Sequence, residues 1–148
     1  MLMQIAVGSA LLILSITLSA LGALLLEIVF ARSQTWLLRE PHRPKLVLIV
    51  AGVTLWALGV VTVGVWLWAM AFFGLGVFAT LEECVYFSLT TFATLGLGDV
   101  ILPFEWRLLA GMEAANGLLN FGLLTALLVE ALRHVHIGQI EVRRKRSG

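Results

Sequence analysis

Three long stretches of the chain are predominantly apolar: residues 2–30, 45–73 and 107–132. A helix needs roughly 20 predominantly apolar residues to cross a bilayer, so the pattern predicts three transmembrane helices. Between the second and third, the pattern changes. Thr80-Leu81-Glu82-Glu83 reads as a helix start, with Thr80 as N-cap and Glu83 at the capping-box position. The acidic pair also suits the positive end of a helix dipole. The run that follows, to Ala93, is apolar and amphiphilic. At about 13 residues and ~1.5 Å per residue it reaches only about 20 Å, too short to span. A short apolar helix between two spans, ending at a Gly-rich turn, reads as re-entrant. Irregular backbone at membrane depth is tolerated only where protein or a water-filled cavity surrounds it.

Composition agrees with lipid as the solvent for most of the chain. Hydrophobic residues make up 60% of the 148 and charged residues only 13%, and the mean hydropathy is +1.00; a soluble domain of this size needs far more charge at its surface. The first segment does not read as a signal peptide. Its opening residues lack Lys and Arg, its apolar run exceeds the roughly 7–15 residues of an h-region, and no small-residue cleavage site closes it. It is expected to remain as a helix. The single cysteine, Cys84, has no intrachain partner and reads as a small packed residue.

Charge placement supplies an orientation. Arg32, Arg39, Arg43 and Lys45 fall between the first two spans, and Arg133, Arg143, Arg144, Lys145 and Arg146 follow the third. Nine of the ten basic residues thus lie on one side, which the positive-inside rule places in the cytoplasm. The amino terminus is expected outside and the carboxyl terminus inside, in a plasma (inner) membrane. The stretch 74–106 then faces outward, with Glu82, Glu83, Asp99 and Glu105 but no Lys or Arg. Trp66, Trp68 and Trp106 near the outer surface suit an aromatic belt.

Residues 94–99 read Thr-Leu-Gly-Leu-Gly-Asp. Removing water from a cation is costly, so a pore must offer a ring of replacement oxygens. Backbone carbonyls do this when consecutive residues all turn their oxygens to one axis, which requires alternating backbone handedness. Glycine adopts φ > 0 without a Cβ penalty, and Gly96 and Gly98 sit at alternate positions. The order of span, short helix, T-x-G-x-G-D and span resembles the pore module of potassium channels, over residues 45–133. Residues 117–126, Gly-Leu-Leu-Asn-Phe-Gly-Leu-Leu-Thr-Ala, look like the inner helix of two-helix bacterial potassium channels. The resemblance implies a selectivity filter at Thr94, Leu95, Gly96, Leu97, Gly98 and Asp99, with potassium held by Thr94, Leu95, Gly96 and Leu97. It also implies a hinge at Gly117, a cavity face of Leu118, Phe121, Thr125 and Val129, and four identical chains around one axis. One position departs from the pattern. These filters most often carry Tyr where this chain has Leu97, and Tyr86-Phe87 replace the paired tryptophans of some bacterial relatives. The second pore loop of two-pore-domain potassium channels can show Leu here. The expected pore prefers potassium through a softer filter.

Other polar residues acquire roles within this frame. Asp99 is expected to enrich cations at the mouth. A carboxylate well inside a span usually faces protein interior, and the cavity face that the resemblance implies puts Glu113 behind the filter, where it is expected, with Thr90 and Thr91, to support it. Glu130, His134 and His136 cluster where inner helices would converge, and histidine titration there offers a proton-sensitive gate. The basic tail suits anionic headgroups. The first helix lacks a repeated arginine and reads as a peripheral helix outside the pore module.

The resulting architecture is an all-α membrane protein with three transmembrane helices and a re-entrant pore helix with its filter loop. It divides into 1–44, helix and linker; 45–133, pore module; and 134–148, basic cytoplasmic tail. The expected function is passive potassium conduction by a homotetramer in contact with membrane lipids. No enzyme activity, cofactor or nucleic-acid partner is expected, and potassium is the permeant ligand. The alternatives are a weakly selective or non-selective cation channel of the same fold and a non-conducting regulatory subunit.

Overall fold

The computed structural model describes the backbone of residues 1–37 and 42–146, and the side chains of 1–29, 31–32, 47–130 and 133. Within these bounds the protein is all-helical, with four α-helices: α1 (Leu2–Leu37), α2 (His42–Gly74), α3 (Leu81–Phe92) and α4 (Arg107–Arg146). Three segments are long and apolar enough to cross a membrane, Leu2–Val29, Val47–Gly74 and Phe104–Glu130. Helices alone meet the requirement that every backbone polar group in lipid be satisfied within its own segment. Hydroxyls within these helices follow the same rule. Thr17, Thr54, Thr62 and Thr125 each donate to the carbonyl four residues back, at 2.7–2.8 Å.

The turn from α2 into α3 has its own chemistry. α2 closes on Gly76 at φ +65, with Val77 N donating to Phe72 O and Gly76 N to Phe73 O, both at 3.1 Å. This is a Schellman motif, which requires a left-handed residue that glycine supplies without strain. α3 then starts at the predicted capping box: Glu83 N donates to Thr80 Oγ1 at 3.2 Å, and Thr80 N donates to Glu83 Oε2 at 3.4 Å.

Packing gathers at the α3 end of the bundle. Trp68, Phe72, Cys84, Phe87, Phe92 and Leu109 are buried in one cluster from α2, α3 and α4. Phe72 and Phe87 meet edge to face with ring centroids 5.4 Å apart, a favourable aromatic geometry. The aromatic-belt expectation divides here. Trp66 is exposed, whereas Trp68 is fully buried against Phe72 and belongs to the core. α1 lies against both α4 and α2, more extensively against α4.

Candidate ion-conduction site

α3 ends where the Gly-rich segment begins, and the join is a second Schellman motif. Leu95 N donates to Thr90 O and Thr94 N to Thr91 O, both at 2.8 Å. The left-handed residue is Thr94, at φ 60. Thr94 is the non-glycine residue with positive φ among those described; a β-branched side chain is seldom placed there, because its Cβ crowds the backbone. Gly96 and Gly98 follow at φ 54 and 78. Positions 94, 96 and 98 are thus left-handed, and 95 and 97 between them are not. Alternation of this kind turns successive carbonyls to the same side of the strand. Glycines mark two of the three left-handed positions in the sequence; the third is forced by the helix cap and is not marked by residue type.

Residues 94–99 are all exposed in the single subunit. On its amino-terminal flank the segment is tethered by backbone: Thr90 O also accepts from Gly96 N at 3.4 Å. Thr90 Oγ1 turns back to the carbonyls of Tyr86 and Phe87, at 3.1 and 3.0 Å. Thr90 and Thr91 therefore hold the segment through carbonyls rather than hydroxyls. On the segment's carboxyl-terminal flank, Tyr86 Oη donates to Asp99 Oδ2 at 2.6 Å, and Asp99 Oδ1 accepts from Val100 N at 3.1 Å. The Tyr86 bond lowers the pKa of Asp99, reinforced by backbone N–H donors and opposed by desolvation. The same bond raises the pKa of Tyr86. Sequence reasoning noted Tyr86 as a replaced aromatic but not as the partner of Asp99. A tyrosine thirteen positions before a carboxylate carries no local signal.

The remaining predicted residues fall in two places. Leu118, Phe121, Thr125 and Val129 all lie on an exposed face of α4. Glu113, Asn116 and Asn120 lie on the opposite, buried face. Glu113 neighbours Ser88 of α3, but neither its carboxyl oxygens nor Ser88 Oγ reaches hydrogen-bond geometry with a partner. Gly117 packs against the end of α3: a Cβ there would collide with the carbonyl of Phe92. Gly64 of α2 approaches the tip of the Phe92 ring, where a Cβ would lie 2.8 Å from Cζ. Phe92 thus meets a glycine with its backbone and another with its ring, and also meets Phe121 edge to face at 6.2 Å. Glu130 pairs with Arg133 at 3.9 Å. The side chains of His134, His136 and the basic tail lie outside the described residues.

Two spans flanking a short capped helix and a segment of alternating handedness define a membrane pore module. A family model described as ion channel matches residues 46–134, more than half of the chain, and the protein belongs to this family. Comparison with curated proteins and with solved structures finds no match.

Proposed function

We propose that the protein is a homotetrameric potassium-preferring channel whose filter is residues 94–99. The observation that carries this reading is the left-handed alternation at Thr94, Gly96 and Gly98, directly after a capped helix. Carbonyls of Thr94, Leu95, Gly96 and Leu97 replace the hydration shell of the ion, and the Thr94 hydroxyl adds an inner oxygen. One chain supplies one strand, and that strand is exposed on a single subunit; four copies close the ring. The exposed α4 face of Leu118, Phe121, Thr125 and Val129 then lines the cavity below. The side chain of Leu97 favours a second reading within this fold. It is 63% exposed and has no hydrogen-bonding group to anchor it, so discrimination against sodium is weaker than in a filter with a tied aromatic. Purified protein in planar bilayers under mixed potassium and sodium tests both. A reversal potential displaced toward that of potassium is expected; equal permeability would remove the selectivity and leave a non-selective cation channel.

A further inference from the structure

The buried face of α4 carries a polar cluster with no place in ion conduction. Asn116 and Asn120 sit one turn apart, and Ser15 and Ser19 sit one turn apart on α1; all four are buried. Ser19 Oγ donates to Asn120 Oδ1 and also reaches the Ser15 carbonyl at 3.0 Å. Asn120 Nδ2 donates to Asn116 O at 2.9 Å, Asn116 Oδ1 at 3.0 Å and Ser15 Oγ at 3.5 Å. The asparagine amide thus has both ends engaged: its oxygen accepts from Ser19 across the helix pair, and its nitrogen donates chiefly to Asn116 on its own helix with a long contact to Ser15 on α1. Nearer the amino terminus of α1, Gly8 lets the same two helices approach closely. A Cβ at Gly8 would meet Met112 Cε at 2.8 Å and Leu109 Cδ2 at 3.0 Å, the small-residue contact typical of membrane helix crossings.

We propose that α1 is a fixed part of the conducting unit, and that Asn120 is the positioning residue through which α1 sets the rotation of α4. Two separated contacts, Gly8 on Met112 and Ser19 on Asn120, fix a helix against rotation about its axis where one would act as a pivot. Turning α4 to swing Leu118 and Phe121 away from their present direction would pull Asn120 from Ser19 and Ser15 and leave the Asn120 amide oxygen without a donor in an apolar setting, although the Ser19 hydroxyl keeps the Ser15 carbonyl and the Asn120 amide nitrogen keeps Asn116. Such a group is costly at membrane depth. The clamp therefore biases α4 toward the rotation in which Leu118, Phe121, Thr125 and Val129 face away from α1. The inference rests on the reading that this face lines the pore.

The test uses the full chain, with one readout independent of conduction. In a Cys84→Ala background, which removes the one native thiol, Gly8→Cys with Met112→Cys reports α1 docking by disulfide yield. Loss of a few interhelical hydrogen bonds in a membrane shifts an equilibrium by about tenfold. Asn120→Leu is accordingly expected to lower the crosslinking yield several-fold. It is also expected to change open probability while unitary conductance and reversal potential stay as in the native protein. Ser19→Ala, a milder change, is expected to act in the same direction and to add nothing in the Asn120→Leu background. Native crosslinking and open probability in both variants overturn the proposal. Reduced crosslinking with native open probability overturns the positioning role. If the native protein passes no ions, the channel reading fails separately, and unaltered crosslinking in Asn120→Leu still rejects the clamp.

Discussion

The phenol of Tyr86 and the carboxylate of Asp99 are joined by a hydrogen bond of 2.6 Å that ties α3 to the carboxyl-terminal end of segment 94–99, the proposed filter. Leu97 offers no such tie, so this bond is the side-chain brace on that flank. Bonds to a charged acceptor are stronger than neutral ones. Tyr86→Phe keeps the ring and removes the donor. The expected result is a several-fold fall in potassium over sodium permeability ratio, read from reversal potentials, with tetramer assembly unchanged. Asp99→Asn is expected to act in the same direction, and the double variant to add little to Tyr86→Phe.

The same pair sets a pH window. Asp99 has a lowered pKa, so its contribution is present above the ordinary carboxylate value of about 3.9 and disappears only as pH falls through the lower folded value. Tyr86 has a raised pKa, so its contribution holds up to the ordinary tyrosine value of about 10 and disappears as pH rises through the higher folded value. The bond is expected to persist from about pH 5 to pH 9. Permeability ratios measured across that range should be flat in the native protein, as in a Glu130→Gln variant. A steep change near neutrality that vanishes in Tyr86→Phe would place the titration at this pair after all.

Thr94 is a threonine in a position that glycine fills at the end of α2. Gly76 and Thr94 occupy the same place in two Schellman motifs, at φ 65 and 60. A non-glycine residue in this conformation costs about 1–2 kcal/mol. Thr94→Gly is therefore expected to leave the thermal midpoint of the solubilised protein unchanged or raise it by a few degrees. Conductance should fall if the hydroxyl is, as proposed, an ion ligand. A large loss of thermal stability would mean the side chain has an undetected structural bond.

Much of this architecture was legible in the chain, and the reasons differ by element. The three spans declare themselves by length and apolarity. Thr80 and Glu83 carry the α3 start in their own side chains. Gly96 and Gly98 mark left-handed backbone because other residues resist it. What was not legible depends on tertiary approach. Trp68 reads as an interface anchor until Phe72 and Phe87 enclose it. That Gly117 also packs against the carbonyl of Phe92 shows only once α3 and α4 meet. The polar contact that joins α1 to α4 is silent in the sequence because serine and asparagine in an apolar run show no partner until two helices cross.

The two glycines around Phe92 are not equivalent. A Cβ at Gly117 meets a backbone carbonyl that cannot move without shifting the end of α3, whereas a Cβ at Gly64 meets the tip of a phenyl ring. Overpacking costs typically about 1–3 kcal/mol, least where a side chain can yield. Gly117→Ala is expected to lower the thermal midpoint clearly and to disturb selectivity, since Phe92 immediately precedes the cap that launches the filter. Gly64→Ala should be milder in both. If Gly117 acts only as a hinge, Gly117→Ala would alter opening kinetics and leave thermal stability and permeability ratio untouched.

Glu113 sets stability against function. Its carboxyl is fully buried, and neither oxygen has a hydrogen-bond partner. A buried polar group left in that condition costs about 1–3 kcal/mol. Glu113→Met, of similar volume and without the polar atoms, is therefore expected to raise the thermal midpoint. Natural sequences keep such a group where function requires it, and Glu113 faces Ser88 of α3, the helix that precedes the proposed filter. The expected pairing is thus higher stability with a lower potassium over sodium permeability ratio, and Glu113→Gln should fall between the two proteins on both scales. Higher stability with native permeation would show that the carboxyl does not support the filter. Lower stability in Glu113→Met would show that it makes a structural bond in the assembled tetramer that a single subunit lacks.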